Sequence, residues 1–459
     1  MKRWLPLLIL IPLIAGAGLY FLRGQKKEAL DLKIFFTCDT RGRLVPCGCF
    51  TGQNGGLTRL KTTLEKLAEP MAIRLDVGDA IRGTADFNLI EYKYILEAYA
   101  GMQFDALNIG HREAQLSKGQ LDTIKQSAPV KLISANLFDK KSGERVFEPF
   151  HIIQRGRHKI AIVGVVDPRG LNETLGEGLM VEKMETVLGT LVPELKKKAD
   201  FIVLLAFTDE TTLAQLAREF YELNIILGGK VSQPAQDLRK ENRSFISYTA
   251  NESRTLGVLQ VQVSTENKLT ATSQEMILLH DRIHEHGSVK TLAANYRDEI
   301  RKTPLQVDDP AFLQENVVPG IKTAATYVGS QSCAECHSSA MATWKKSGHA
   351  HAFETLIETK ADADPNCIGC HTVGFGTPSG YRREFASSKL VDVGCESCHG
   401  PGSLHVNQRL AGELVTFKFR PLGAGDCQKC HHGEFSRPFD WDEFWPLIQH
   451  GKEKSTAQK

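Results

Sequence analysis

The chain has 459 residues, 42% of them hydrophobic and 24% charged, and this length predicts two or three domains rather than one. The formal net charge of +2 gives no ground for a nucleic-acid partner or a strongly acidic one. Eleven cysteines and fifteen histidines are present, and most of both follow Tyr327. Such local enrichment indicates cofactor or metal ligation in the last third of the chain.

Residues 1–27 are predicted to be a signal anchor. Lys2 and Arg3 precede an apolar run, Trp4–Leu22, which at about 1.5 Å per residue nearly spans a hydrocarbon core of about 30 Å. A cleaved signal peptide is the alternative, because Ala15-Gly16-Ala17 resembles a cleavage site. Both interpretations predict export to the periplasmic side, and the first predicts anchoring to the cytoplasmic membrane by residues 4–22.

Residues 28–302 are predicted to form an α/β domain with buried strands, because short apolar runs alternate with amphipathic stretches. Strands are predicted at Leu32–Thr37, Met71–Asp76, Asp105–Ile109, Lys159–Val166, Phe201–Ala206 and Asn224–Leu227, and helices at Leu57–Leu67, Leu89–Ala100, Thr212–Leu223 and His286–Arg301. A hairpin is predicted from Leu256–Val263 and Leu269–Leu278. Residues 303–326, with three prolines, are the predicted linker to a domain at 327–459.

The tail carries one motif four times, with two cysteines three positions apart and a histidine directly after the second. The motifs are Cys333-Ala-Glu-Cys336-His337, Cys367-Ile-Gly-Cys370-His371, Cys395-Glu-Ser-Cys398-His399 and Cys427-Gln-Lys-Cys430-His431. Cysteines at this spacing form thioethers to haem vinyl groups, and the histidine becomes the proximal iron ligand. Zinc sites are the alternative, which the fourfold histidine disfavours. The sequence therefore predicts four covalently bound haem c groups.

Five further tail histidines are candidates for the distal iron positions: His349, His351, His405, His432 and His450. The stretches Trp344-Lys-Lys-Ser-Gly-His349-Ala-His351 and Gly394-Cys-Glu-Ser-Cys-His399-Gly-Pro-Gly-Ser-Leu-His405 resemble the cytochrome c-554 type of multihaem cytochrome. The resemblance implies a mostly helical and irregular tetrahaem domain. It also implies that His349 and His405 are distal ligands to haems held by other motifs. Two-histidine ligation indicates electron transfer, whereas an open iron would permit binding of a small substrate.

The N-terminal motifs run in a characteristic order: Asp39-Thr-Arg41-Gly-Arg-Leu, Gly55-Gly-Leu-Thr-Arg59, Asp76-Val-Gly-Asp79 and Asn108-Ile-Gly-His-Arg-Glu113. They resemble the 5′-nucleotidase branch of the calcineurin-like metallophosphoesterases. The resemblance implies a four-layer metallophosphoesterase-like sandwich. Working members bind two metals that clamp a phosphate and generate hydroxide.

Most metal ligands of that family are replaced in this chain. Asp39 and Asp79 match, but Arg41 stands where the first histidine belongs, and His111-Arg112 replaces the asparagine and the catalytic histidine. Later, Leu205-Ala-Phe207-Thr and Gly228-Gly-Lys230-Val-Ser232 stand in for histidine motifs. With His111 as a third ligand, the two aspartates could hold a single metal ion. The replacements predict that phosphoesterase activity is lost, since a fold does not by itself confer activity.

Three cysteines lie in the first loop of this degenerate site: Cys38, Cys47 and Cys49. They are candidate catalytic residues, as a thiolate metal site or a redox-active pair. The alternative is a disulfide with one thiol left over, for which Cys38 with one of the others closes the easier ring.

The preferred hypothesis is an exported tetrahaem electron-transfer protein fused to an inactive 5′-nucleotidase-like domain, with redox partner proteins as donor and acceptor. A multihaem redox enzyme with a substrate or metal site at the cysteine and aspartate loop is the first alternative. A metal-dependent phosphoesterase acting on nucleotides is the second.

Overall fold

The computed structural model describes residues 29–46, 53–171, 173–250, 252–266, 268–304, 325–377, 379–383, 389–415, 421–432 and 438–451. The predicted signal anchor, most of the predicted linker, and Cys47 and Cys49 lie outside these residues. In the described part of the chain, no helix combines the length and the apolar character needed to cross a membrane.

Strands and helices alternate over the first three hundred residues, and short helices follow. The strands are β1 (Leu30–Thr37), β2 (Ile73–Asp76), β3 (Ala106–Asn108), β4 (Leu132–Ile133), β5 (Leu137–Asp139), β6 (Phe150–Arg155), β7 (His158–Val166), β8 (Leu179–Val181), β9 (Phe201–Phe207), β10 (Ile225–Gly228), β11 (Arg239–Glu241), β12 (Ser244–Tyr248), β13 (Thr255–Val263) and β14 (Leu269–Leu278). The helices are α1 (Leu57–Lys66), α2 (Asp86–Gly101), α3 (Lys118–Ser127), α4 (Met184–Leu195), α5 (Glu210–Glu219), α6 (Gly287–Lys302), α7 (Ser338–Lys345), α8 (Ala352–Glu358), α9 (Pro365–His371), α10 (Cys395–His399), α11 (Ser403–Leu410), α12 (Ala424–Cys427) and α13 (Trp441–Phe444).

Two six-stranded sheets form the N-terminal region. The first has the order β14-β13-β1-β2-β3-β4, in which β1 to β4 are parallel and β13 is antiparallel to both β1 and β14. The second has the order β11-β12-β10-β9-β7-β6, with β7, β9, β10 and β12 parallel. The predicted hairpin and all predicted strands and helices of this region are present, with ends that differ by a few residues.

The alternation of side chains along the strands of the second sheet sets the layers. Odd-numbered residues of β9, such as Val203 and Leu205, belong to the core shared with the first sheet. Even-numbered ones, such as Ile202 and Leu204, pack in a second core with α4 and α5. Because strand residues alternate between faces, one strand contributes to both cores. The result is the four-layer helix–sheet–sheet–helix arrangement expected from the resemblance.

The C-terminal region packs on α2 and α6 of the N-terminal region. Arg301 of α6 forms a two-pronged ion pair with Asp362 at 2.7 and 2.8 Å, and Arg297 donates to the Thr359 carbonyl at 2.8 Å. Ile368 of α9 is fully buried in the same hydrophobic core as Ile300 of α6. The second haem motif therefore shares its core with the N-terminal region.

The end of the chain has little core of its own. In the described residues after Leu390, Pro401 is the one buried apolar side chain. A small core of this kind is consistent with the predicted haems, which would supply apolar interior to the tail.

Candidate functional sites

Carboxylates hold the second and third haem motifs, each of which lies on a short helix. Asp364 caps α9, its side chain accepting from the Asn366 amide at 2.9 Å. Glu396, within the third motif, is buried and accepts from the amides of Gly329 and Gly402, each at 2.7 Å. Glu396 thereby ties the segment that leads into the first motif to the helix of the third.

Three of the four motif histidines face a second histidine. The ring centres of His337 and His405 are 6.2 Å apart. Those of His431 and His349 are 6.0 Å apart. His399 and His450 also lie 6.0 Å apart.

This spacing fits an iron between the two rings. Two metal–nitrogen bonds of about 2 Å, with about 1.1 Å from each nitrogen to its ring centre, place the centres about 6 Å apart. His450 adds a second sign of ligation: its Nδ1 donates to the Ile448 carbonyl at 2.7 Å, which leaves Nε2 for a metal. The described residues thus fit haem iron at three motifs.

The second motif differs from the other three. His371 donates Nδ1–H to the Ala352 carbonyl at 2.6 Å, the bond expected of an iron-ligating histidine. Within the described ranges, no histidine ring faces it. The remaining distal candidates are both placed elsewhere: His351 lies 3.5 Å from Glu354, and His432 is exposed beside His431.

Attachment cysteines from different motifs meet. The thiols of Cys333 and Cys395 lie close enough to shift each other's pKa, and so do those of Cys370 and Cys430. With haem attached at every motif, these sulfurs would be thioethers of different haems. Motifs one and three are therefore neighbours, and so are motifs two and four.

A cavity of about 330 Å³ lies where the N-terminal motifs predict a degenerate metal site. Its walls are formed by Asp39, Arg41, Asp79, His111, Phe207, Gly229, Lys230 and Val231. The strand-end loops after β1, β2 and β3 bring Asp39, Asp79 and His111 together, as the motif order predicts. Asp39 and Asp79 have φ values of 60° and 62°, a left-handed conformation that aspartate tolerates better than most residues.

Arginines pair with both aspartates. Arg41 Nε lies 2.5 Å from Asp39 Oδ1, and Arg41 also pairs with Glu252 at 2.8 Å. The backbone amide of Arg112 donates a hydrogen bond to the Asp79 carboxylate at 2.9 Å. The Nε atom of Arg112 lies 3.8 Å from the same carboxylate. Burial raises the pKa of Asp39 in spite of Arg41, and burial together with the nearby Glu113 raises that of Asp79 well above its usual range.

The remaining candidate ligand, His111, also faces another partner. Its Nε2 donates to the Asp167 carbonyl at 2.7 Å, and burial and Lys230 lower its pKa. In the described part of the chain, no group of three histidine, cysteine, aspartate or glutamate side chains is placed to hold a metal ion. The donor set at this site does not fit a metal, because guanidinium groups pair with the carboxylates that would bind it.

Cys38 lies beneath the cavity. Its side chain is 1% exposed, and its sulfur donates to the Gly78 carbonyl at 3.4 Å. Burial, and then the carboxyl groups of Asp76, Asp39 and Asp79, raise the pKa of this thiol well above its usual range. A reactive cysteine needs a lowered pKa and access, so these surroundings favour a structural role for Cys38.

Glu113 holds the loops of this site together, a role that sequence reasoning did not assign. The side chain is 1% exposed and accepts from the amides of Asp79, Ala80, Ile81 and Gly110 at 2.7 to 3.0 Å. The one signal in the sequence is a glutamate placed three residues after the glycine that ends the loop.

Comparisons with known proteins divide the chain in the same way. The sequence model of the family "Cytochrome c554 and c-prime" matches residues 332–400, which include the first three motifs. Cytochrome c-554 from Nitrosomonas europaea is 40% identical over 93 residues, which are 17% of this chain and 40% of that protein. The 5′-nucleotidase from Vibrio cholerae is 27% identical over 196 residues, which are 40% of this chain and 34% of that protein.

A 5′-nucleotidase precursor from Thermus thermophilus superposes with a TM-score of 0.51 at 20% identity, covering 59% of each chain, and shows the fold. The chain spans less than half the length of the two curated relatives, at 40% and 34%. The N-terminal region thus has the 5′-nucleotidase fold, and the C-terminal region is similar to cytochrome c554, a likeness that implies covalently bound haem c.

Proposed function

We propose that this chain is an exported tetrahaem cytochrome that carries electrons, and that its 5′-nucleotidase-like region has no hydrolase activity. The observation that carries the proposal is the 6.0 to 6.2 Å spacing of three histidine ring pairs. Each pair joins a motif histidine to a histidine from another part of the tail. Iron bound on both faces is saturated, which suits electron transfer.

The neighbouring motifs support a continuous relay. Motifs one and three meet at Cys333 and Cys395, and motifs two and four at Cys370 and Cys430. Cys398 and Cys427 lie within electrostatic range of each other, which links motifs three and four. The order of contact is therefore one, three, four, two, and the second motif stands at one end, against the N-terminal region.

The ion pairs in the N-terminal cavity support the loss of hydrolase activity. Two-metal hydrolysis needs carboxylates that are free to bind metal and histidines that complete the shell. Here Arg41 and Arg112 pair with those carboxylates. Hydrolysis of p-nitrophenyl phosphate that rises on addition of Mn²⁺ would contradict this part of the proposal.

Binding of a small molecule at the second motif is a second candidate function. It is favoured by one observation: no histidine of the described residues faces His371. An iron held on one face only can bind a small ligand on the other.

Carbon monoxide titration of the purified, haem-loaded protein tests both candidates. We expect four haems per chain, three with low-spin spectra and about one carbon monoxide bound per chain, because three motifs have paired histidines. Binding of three or four would contradict the paired ligation. Binding of none would remove the second candidate and leave a pure electron carrier.

A further inference from the structure

Two buried carboxyl groups lie within electrostatic range of each other where the N-terminal region packs against the second haem motif. Glu91 lies on α2 and is 3% exposed, and Asp364, the residue that caps α9, is 8% exposed. Burial is the main cause that raises the pKa of both groups, that of Glu91 to about 7, and Asp364 contributes to the shift of Glu91. One carboxyl comes from each region of the chain.

Several charged and titratable groups surround this pair. Arg82 donates to Glu91 at 3.2 Å, and Arg43 lies within electrostatic range of it. On α6, Tyr296 and Arg297 face Asp364. The backbone of Gly42 packs against the Glu91 carboxylate, and a Cβ atom at position 42 would overlap the carboxylate. The pair is therefore largely enclosed by protein, and solvent still reaches a small part of each residue.

The same pair borders the attachment point of the second haem. The amide of Cys367 donates to the Asp364 carbonyl at 2.9 Å, so the cysteine follows the capping residue within one turn. Tyr296 lies within electrostatic range of Glu91, Asp364 and Cys367. Charges buried at such a place are weakly screened and act strongly on one another.

We propose that Glu91, together with Asp364, is a proton-binding site whose occupancy is coupled to the reduction of the haem attached at Cys367 and Cys370. This inference rests on the proposed function, because it requires a haem at the second motif. When one electron arrives there from the haem attached at Cys427 and Cys430, Glu91 takes up one proton from solvent and an O–H bond forms. On oxidation the electron and the proton both leave.

The physical reason is the cost of a net charge in a closed space. Reduction adds a negative charge beside a carboxylate that burial already disfavours. Uptake of a proton restores the balance. The N-terminal region would then have a role in electron transfer, since Glu91 on α2 supplies half of the site.

Potentiometric titration of the haem-loaded full-length chain at several pH values between 6 and 8 tests the proposal. We expect one haem midpoint of the parent protein to fall as the pH rises, and Glu91→Gln to remove at least half of that dependence. Glu97→Gln, on the same helix, is the matched control and leaves the dependence unchanged. Equal dependence in the parent and in Glu91→Gln would overturn the proposal.

A second variant decides the matter if Glu91→Gln does not fold. Asn caps helices about as well as Asp, so Asp364→Asn preserves α9 while removing the charge that raises the pKa of Glu91. The pH range in which the midpoint changes then moves to lower pH, and an unmoved range would overturn the proposal. Proton release or uptake on reduction, followed with an indicator dye in weak buffer, provides an independent readout.

These outcomes are distinguishable from failure of the proposed function. If the purified chain contains no covalently bound haem, the proposed function fails. If four haems are bound and no midpoint responds to Glu91→Gln, only the coupling is wrong.

Discussion

Guanidinium groups decide the chemistry of the N-terminal cavity. In a two-metal site, Asp39 and Asp79 would each bind a divalent ion. Here Arg41 and Arg112 supply the positive charge from within the chain. A guanidinium neutralises a carboxylate but cannot activate a water molecule as a metal does. The strand-end loops still bring both aspartates to one cavity, while the paired guanidinium groups support the proposed absence of hydrolase activity.

The histidine pairs allow a test of distal ligation with a control two residues away. In His349→Ala, the haem attached at Cys427 and Cys430 loses its second ligand, since His349 faces His431. We expect a new high-spin signal and one additional carbon monoxide bound per chain. His351, which lies beside Glu354, faces no iron-ligating histidine in the described chain, so His351→Ala leaves the spectra unchanged. The reverse result would assign the ligand to His351.

The buried carboxyl group of Asp76, at the end of β2, should make the free energy of unfolding depend on pH. Asp76 is fully buried and accepts from Thr37 at 2.7 Å and from Tyr99 at 2.8 Å, and burial raises its pKa from 3.8 to about 7. Because the folded-state pKa is raised, its contribution to stability is full below about pH 4 and is lost as the pH rises to about 7. At about 1.4 kcal/mol per unit of pKa, the loss is on the order of 4 kcal/mol.

Asp76→Asn tests this dependence, because its amide can keep bonds to the hydroxyl groups of Thr37 and Tyr99. We expect the free energy of unfolding in urea to fall less between pH 5 and pH 8 than in the parent protein. Asp86→Asn, at the exposed start of α2, serves as the control and keeps the parental slope. A slope unchanged in Asp76→Asn would contradict the assigned pKa.

At the scale of elements, the sequence predicts those strands that are continuous runs of apolar residues. β7 and β9 are runs of buried residues and are recognisable as such. β6 is an edge strand whose apolar residues are interrupted by His151 and Gln154, and α4 contains Gly189 and Pro193, which disfavour helix prediction. Those two elements form because tertiary packing outweighs local preference.

Some features of the candidate sites could be predicted from local sequence, whereas others depend on the tertiary fold. The positions of Asp39, Asp79 and His111 follow from their places at strand ends, and the structure brings all three to one cavity. The pairing of His399 with His450 depends on how the tail folds back on itself. No local sequence pattern predicts that path of the chain. The proximity of Glu91 to Asp364, across 273 positions of sequence, is equally a property of the fold.

Two glycines of different elements predict opposite effects of the same substitution. A Cβ at Gly257 of β13 would overlap the Phe36 ring in β1, so Gly257→Ala should lower the free energy of unfolding by about 1–3 kcal/mol. Gly189 of α4 has no atom within 4 Å of such a Cβ, and Gly189→Ala should raise it by about 0.5–1 kcal/mol. Urea denaturation of both variants checks the pair, and equal signs would contradict the packing described for β13.

At the scale of the whole molecule, the two regions are joined by packing as well as by the chain. Arg301 pairs with Asp362, and Ile368 of α9 lies in the core of the N-terminal region. The N-terminal region is therefore the support for the second haem motif. The third and fourth motifs contain no buried hydrophobic side chain in the described residues, and the proposed haems would supply their apolar interior.

This packing predicts that a cut between the regions does not separate them. With a protease site inserted between residues 305 and 324, the two fragments of the haem-loaded protein should elute together in gel filtration after cleavage. The same protein with Ile368→Asp, which places a charge in the shared core, should give separate fragments. Separation of the unsubstituted fragments would show that the covalent connection alone holds the regions together.

The core shared by the two regions also limits which sequence changes the protein can accept during evolution. The shared core and the Arg301–Asp362 ion pair help to position the second motif, so we expect insertions or deletions between residues 305 and 324 to leave that position unaltered. Substitutions on the buried surfaces of α6 and α9 are more restricted, since a change in one side chain must be compensated by a change in the side chains that pack against it. We therefore expect the packed surfaces of the two regions to change together, although each region resembles a different family.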